Sequence, residues 1–157
     1  MPIAPTPTPG RLAFVADGFT PGGGRAAADA RCVSAAAGAG RAGAFVAFLS
    51  TSTEAGTARL PVGPPWVRPD GQVLAPTTAA LLDGLSAAPV QTAAGANLLG
   101  LSILLGEATP ATLATTCQDW TSALGSAELW AAWTWTTNRD RGFRTCSGAS
   151  ALLCLEL

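Results

Sequence analysis

This sequence predicts an α+β domain whose two ends pair, and three observations carry that expectation. Short apolar runs recur along the chain and are bounded by Gly, Pro and Asp-Gly turns, as strands are. One segment near the front is dense in Ala, the best helix former. Four cysteines, Cys32, Cys117, Cys146 and Cys154, stretch from that segment almost to the C-terminus.

Taken in order, residues 1–10 alternate Pro and Thr and read as a semi-extended linker ahead of a single domain, 11–157. Residues 11–16 (Arg-Leu-Ala-Phe-Val-Ala) predict a first strand, ended by Asp17-Gly18. Residues 20–24 are a Gly-rich loop. Residues 25–37 predict a helix stopped by Gly38-Ala39-Gly40, with Cys32 on its apolar face one turn from Ala28 and Asp29. Residues 44–49 predict a second strand, followed by the polar run 50–54. Residues 61–71 hold four prolines and an Asp70-Gly71 turn around Trp66, an ordered loop or a hairpin bracketed by prolines. Residues 77–83 predict a second short helix capped by Gly84. Residues 97–105, 128–137 and 150–157 predict further strands, the last carrying Cys154.

Composition narrows the function classes. The chain has 157 residues, 48% of them hydrophobic and 12% charged, with a net charge of -1. That length suffices for a substantial core, and the low charge with abundant apolar residues argues against disorder. The nine basic residues are all Arg and are scattered, so no nucleic-acid partner is expected. No run approaches the roughly 18–20 apolar residues of a membrane helix. The segment 97–105 is the most apolar and is interrupted by Gly100 and Ser102. Lys, His and Tyr are absent while Ala and Gly abound, a bias that resembles high-GC bacterial coding. The N-terminus lacks a basic region followed by an apolar one, so it is not a signal peptide. Disulfide-type cysteines then predict an export signal or anchor ahead of Met1 in the full gene, and an extracellular or cell-surface location.

The candidate chemistry is sparse. Without His there is no Cys/His zinc site, no Ser/His/Asp triad and no Cys/His dyad. The ten carboxylates are spread out, with no Asp-x-Asp pair and no EF-hand loop, and Gly22-Gly23-Gly24 lacks the Lys and Ser/Thr of a phosphate loop. No catalysis, cofactor or metal is expected. The cysteines read as disulfides, because thiols without His or Lys neighbours lack the partners that make them reactive. Spacing leaves three pairings open: 32–154 with 117–146, 32–117 with 146–154, and 32–146 with 117–154. Trp120, Trp130, Trp133 and Trp135 crowd the last third of the chain. Trp133 and Trp135 share a strand face and Trp130 falls on the other. Such residues either pack in a core beside a disulfide or present rings to a sugar or a protein partner. Arg139, Arg141 and Arg144 cluster beside them.

Phe14-Val15 precedes a Gly-rich turn and an Ala-rich helix with one cysteine at position 32. Then come Phe45-Val46-Ala47-Phe48-Leu49-Ser50-Thr51-Ser52, Arg68-Pro69-Asp70-Gly71, Leu81-Leu82-Asp83-Gly84 and Cys117-Gln118-Asp119-Trp120-Thr121-Ser122. Cys146 and Leu153-Cys154-Leu155 close the series. In this order along residues 12–157, these strings resemble those of the C-type lectin-like fold. Within that fold the chain is similar to bacterial secreted domains related to the endostatin-like module of collagens, whose Ala-Trp/Phe-Leu-Ser strand and paired terminal cysteines have counterparts here.

The resemblance implies two short helices, a mostly antiparallel twisted sheet, long loops and the nested pairs Cys32–Cys154 and Cys117–Cys146. The calcium-lectin strings Glu-Pro-Asn, Gln-Pro-Asp and Trp-Asn-Asp are absent, so any sugar binding is expected to be calcium-independent. The zinc-binding histidines of endostatin are missing too. The expected function is a non-catalytic extracellular binding or adhesion module that meets a glycan or protein partner. Its candidate contact residues are Trp130, Trp135, Asn138, Arg139, Arg141 and Arg144. The rival expectation is a self-assembling structural subunit, such as a tip or spike of a surface filament or phage-like particle, using an exposed apolar edge at 97–105.

Overall fold

The computed structural model of this chain, which describes residues 9–98, 100, 102–104, 106–124, 126–131 and 140–157, is built around its last strand. The fold is α+β. Its elements in chain order are β1 (Arg11–Phe19), α1 (Gly24–Gly38), β2 (Phe45–Ala47), β3 (Trp66–Val67), β4 (Val73–Ala75), β5 (Ser102–Leu104), the helical turn α2 (Cys117–Trp120), β6 (Ser126–Ala131), β7 (Asp140–Thr145) and β8 (Ser150–Glu156). Three 3-10 turns lie at Gly56–Arg59, Ala79–Leu81 and Leu113–Thr115.

β8 reads Ser-Ala-Leu-Leu-Cys-Leu-Glu, apolar without alternation, which suits a strand covered on both faces. One side of β8 pairs antiparallel with β1, from Ala13↔Leu155 to Phe19↔Ser150. The other side is shared end to end by β2, antiparallel through Phe45↔Glu156, and β5, parallel through Ile103↔Ala151. β6 and β7 continue outward from β5 as an antiparallel pair. These six strands form a mixed sheet, and β3 extends it by a short parallel pairing with β1, followed by β4.

The period of two in β1 and β8 feeds two cores. On one face Ala13, Val15, Leu153 and Leu155 pack with Phe48, Trp66, Leu74, Leu81 and Ile103. On the other, Phe14, Ala16, Leu152 and Cys154 pack with Phe45, Leu49, Leu104 and Trp120 and with the Ala28, Cys32 and Ala36 stripe of α1. Alanines at this spacing let the helix lie close to the sheet. Asp29 fixes the helix against β2: its Oδ1 accepts from Ala47 N at 2.9 Å, and its carboxylate is paired with Arg59. Arg11 closes the far end. Its guanidinium lies 3.7 Å over the Trp66 ring and donates to the Pro61 and Pro64 carbonyls at 2.8 and 2.9 Å.

Both disulfides of the nested pairing are present. Cys32 on α1 bonds Cys154 on β8, and Cys117 bonds Cys146, with Cα separations of 5.5 and 5.7 Å.

Several expectations need correction. Within the segment 97–105, where a strand is expected, the described strand is Ser102–Leu104, and Gly100 ahead of it has φ +70°, outside the extended region. Asn97 makes only an isolated bridge to Gln91. Nor is this segment an exposed apolar edge: β5 lies between β8 and β6, and Ile103 and Leu104 are buried. The helix expected over 77–83 is a 3-10 turn, Ala79–Leu81, whose amides bond three residues back. The proline-rich stretch 61–71 leads into the β3–β4 hairpin, whose turn is closed by Gly71 N donating to Arg68 O at 2.8 Å. The strand expected over 128–137 begins at Ser126 and is described as far as Ala131. Asp140–Thr145 forms a strand that the sequence reading does not contain.

Candidate functional site

Three of the six candidate contact residues fall on described backbone. Trp130 on β6 stands directly opposite Arg141 on β7. Arg144 stands opposite Ala127, at the other parity of the same ladder. Trp135, Asn138 and Arg139 lie outside the described residues, as does Trp133. The structure therefore brings Trp130 and Arg141 to one register position and separates Arg144 from them by three.

The base of this hairpin is tied to the body of the protein. β7 ends at Thr145 and Cys146 follows at once, bonded to Cys117 and almost fully buried. Cys117 opens α2, and here the backbone is unusual. Cys117, Gln118, Asp119 and Trp120 have φ of 52°, 55°, 54° and 67°, one left-handed turn made without glycine. Each such residue costs roughly 1–2 kcal/mol. The surroundings must over-determine the turn, and named contacts do so. Trp120 is 2% exposed and its indole Nε1 donates to Ser50 O at 2.9 Å. Ser52 N and Ser52 Oγ donate to the two oxygens of Asp119 at 2.7 and 2.6 Å. Asp119 N donates to Thr116 Oγ1 at 3.1 Å.

Ser50 is the hub of the neighbouring loops. Its hydroxyl accepts from Gly56 N and from Glu107 N, both at 2.8 Å, and the residue is 3% exposed. Arg25 at the start of α1 pairs with Glu54 at 2.8 Å on the same stretch. Burial pushes the Asp119 carboxyl up, but the Ser52 hydroxyl and amide, the Thr116 hydroxyl and the Arg25 charge outweigh it and hold the group below the ordinary carboxylate range. Asp119 therefore stays ionised and serves as a clasp.

This polar clasp is what sequence reasoning missed. The strings Ser50-Thr51-Ser52 and Cys117-Gln118-Asp119-Trp120 are both visible in the chain, but nothing in either says that they meet. Trp120, open between core and exposed ring in the sequence, is a core residue, and so is Trp66 at 0% exposure. Among the described residues no group of three His, Cys, Asp or Glu could hold a metal ion. No described helix is long and apolar enough to cross a membrane.

The sequence matches no protein-family model. No curated protein matches it either.

Proposed function

We propose that this chain is a non-catalytic extracellular recognition module of C-type lectin-like fold that meets a glycan or protein partner through the β6–β7 hairpin, without calcium. The observation that carries this reading is the hairpin's anchorage. A strand pair holding Trp130 opposite Arg141 is bonded at its base, through Cys146–Cys117, to a turn clasped by Ser50 and Ser52. Binding residues on an extension fixed to a rigid body lose little conformational freedom on association. Trp and Arg are the residue types that dominate measured binding energy. The cysteines support the extracellular compartment of this reading. All four are paired, and such bonds persist in oxidising surroundings.

A self-assembling subunit finds less support. β5 offers no free edge, and β7, the outer strand on the β5 side of the described sheet, carries Asp140, Arg141 and Arg144. Charges on an edge strand oppose edge-to-edge pairing.

A glycan and protein array, probed with and without chelator, tests the reading. Signals unchanged by EDTA are expected. Trp130→Ala and Arg141→Ala should each weaken the strongest signal by at least about tenfold, a loss of about 1.4 kcal/mol, with an unchanged melting temperature. Binding that survives both substitutions, or that disappears with EDTA, would refute the proposed surface.

A further inference from the structure

A cleft of about 680 Å³ opens between the loop after α1 and the β3–β4 turn, and none of its walls belongs to the 117–146 region. Its volume lies within the usual range for small-molecule sites. The floor is apolar, from Leu12, Phe45 and Val67, while Arg41, Asp70 and Glu156 bring charge of both signs to the walls.

Two of these charged groups are held in place with part of their bonding capacity unused. Arg41 follows a Schellman turn: Arg41 N donates to Ala36 O at 2.8 Å and Gly40 N to Ala37 O at 3.0 Å, with Gly40 at φ +70°. Its Nε donates to Ala93 O at 3.3 Å, which leaves the terminal guanidinium nitrogens without a described acceptor. Glu156 accepts Leu12 N on Oε2 at 2.7 Å. Its Oε1 has no described donor, and a Cβ on Gly43 would lie 3.2 Å from it and 3.4 Å from the Phe45 ring. Glycine at that position, whose φ of +139° itself favours it, leaves this side of Oε1 uncrowded. The other nearby charges are already committed. Arg68 is paired with Asp70 and donates to Ala88 O at 3.0 Å. Arg11 lies close enough to Glu156 for their charges to interact, but its donors face Pro61 and Pro64.

We infer that this cleft binds a small zwitterion of amino-acid or short-peptide type, with its ammonium at Glu156, its carboxylate at Arg41 and an apolar side chain on Leu12, Phe45 and Val67. A lone anion or cation would satisfy only one of the two open groups. Charge-assisted bonds at both ends favour a ligand that carries both charges.

The test is an amide-resolved NMR titration of the oxidised chain with leucyl-leucine, N-acetyl-leucyl-leucine and leucyl-leucine amide. Leucyl-leucine should shift the Leu12, Arg41, Phe45 and Glu156 amides saturably, and each blocked peptide should bind at least about tenfold more weakly. In Glu156→Gln the amide oxygen still accepts Leu12 N–H, and the preference for the free amine over the acetylated one should vanish. In Arg41→Gln the preference for the free carboxylate over the amide should vanish, which keeps the test available if Glu156→Gln fails to fold. No saturable shift at these amides, equal binding of all three peptides, or unaltered preferences in both variants would overturn the assignment. The outcome is independent of the β6–β7 reading, because that hairpin contributes nothing to the cleft.

Discussion

Asp119 links two segments 67 residues apart through Ser52, and its ionisation state sets how acid affects the fold. Its carboxyl is held below the ordinary value, and so is that of Asp70, chiefly through the Arg68 hydrogen bond. A group whose folded-state pKa is depressed contributes stability that is fully present above its unfolded value, about 3.9 for Asp, and is lost as pH falls through the folded value. The melting temperature should therefore hold steady in weak acid and fall once the pH drops below about 4. Asp119→Asn should cost about 1–3 kcal/mol at neutral pH, because one of the two oxygens that accept from Ser52 becomes a donor and both bonds lose their charge assistance. It should also make the acid decline shallower. Thermal melts of both proteins across that range check this, and parallel acid limbs would count against the clasp. Sequence alone gave no access to this interaction, since an Asp in a Cys-x-x-Trp string carries no mark of its partner. The cysteines were more legible: their number and lack of His or Lys neighbours announced disulfides, while only the family resemblance chose among three pairings.

Legibility differed between elements: α1, β1, β2 and β8 lie in segments whose helix or strand the sequence predicts, while the six-residue β7 does not. α1 announces itself by fifteen residues rich in Ala, and its buried stripe Ala28, Cys32, Ala36 has the spacing expected of one helix face. β3 and β4 span two or three residues each, too few to display a period of two, whereas β2 and β5 lie within longer apolar runs that read as strands. β7 hid behind its arginines, which read as loop because an outer strand carries charge. Two substitutions probe the elements. Ala28 has no exposure, so Ala28→Leu should overpack the helix–sheet contact and cost about 1–3 kcal/mol in urea melts. Gln118 is exposed and sits at φ 55° in the left-handed turn. Gln118→Gly removes a penalty of about 1–2 kcal/mol. It adds unfolded-state entropy worth about 0.4–1 kcal/mol. A net gain of roughly half to one kcal/mol should raise the melting temperature by a few degrees, whereas Gln118→Val should lower it. A glycine variant less stable than the parent would mean that the turn is not left-handed in solution.

At the scale of the molecule, the chain closes on itself: Leu12 N meets Glu156 144 positions later, and β8 completes the centre of the sheet. Such pairing carries a large loop-closure cost and slows folding. The outer disulfide, whose ends lie 122 positions apart, removes most of that cost from the unfolded chain, while the ends of the inner one lie 29 apart. The chain-entropy model assigns them about 5 and about 3.6 kcal/mol respectively. All four sulfurs are buried, so replacing each pair by alanine leaves comparable cavities and the difference between the pairs should survive. Cys32→Ala/Cys154→Ala should thus lose more stability than Cys117→Ala/Cys146→Ala in urea unfolding, and should refold more slowly, since β1 must then find β8 unaided. The inner variant should keep the sheet but lose the fixed hairpin base, visible as faster amide exchange in β7 with β1 and β8 still protected. An inner variant that unfolds as readily as the outer one would show that the hairpin anchor and the sheet are a single cooperative unit.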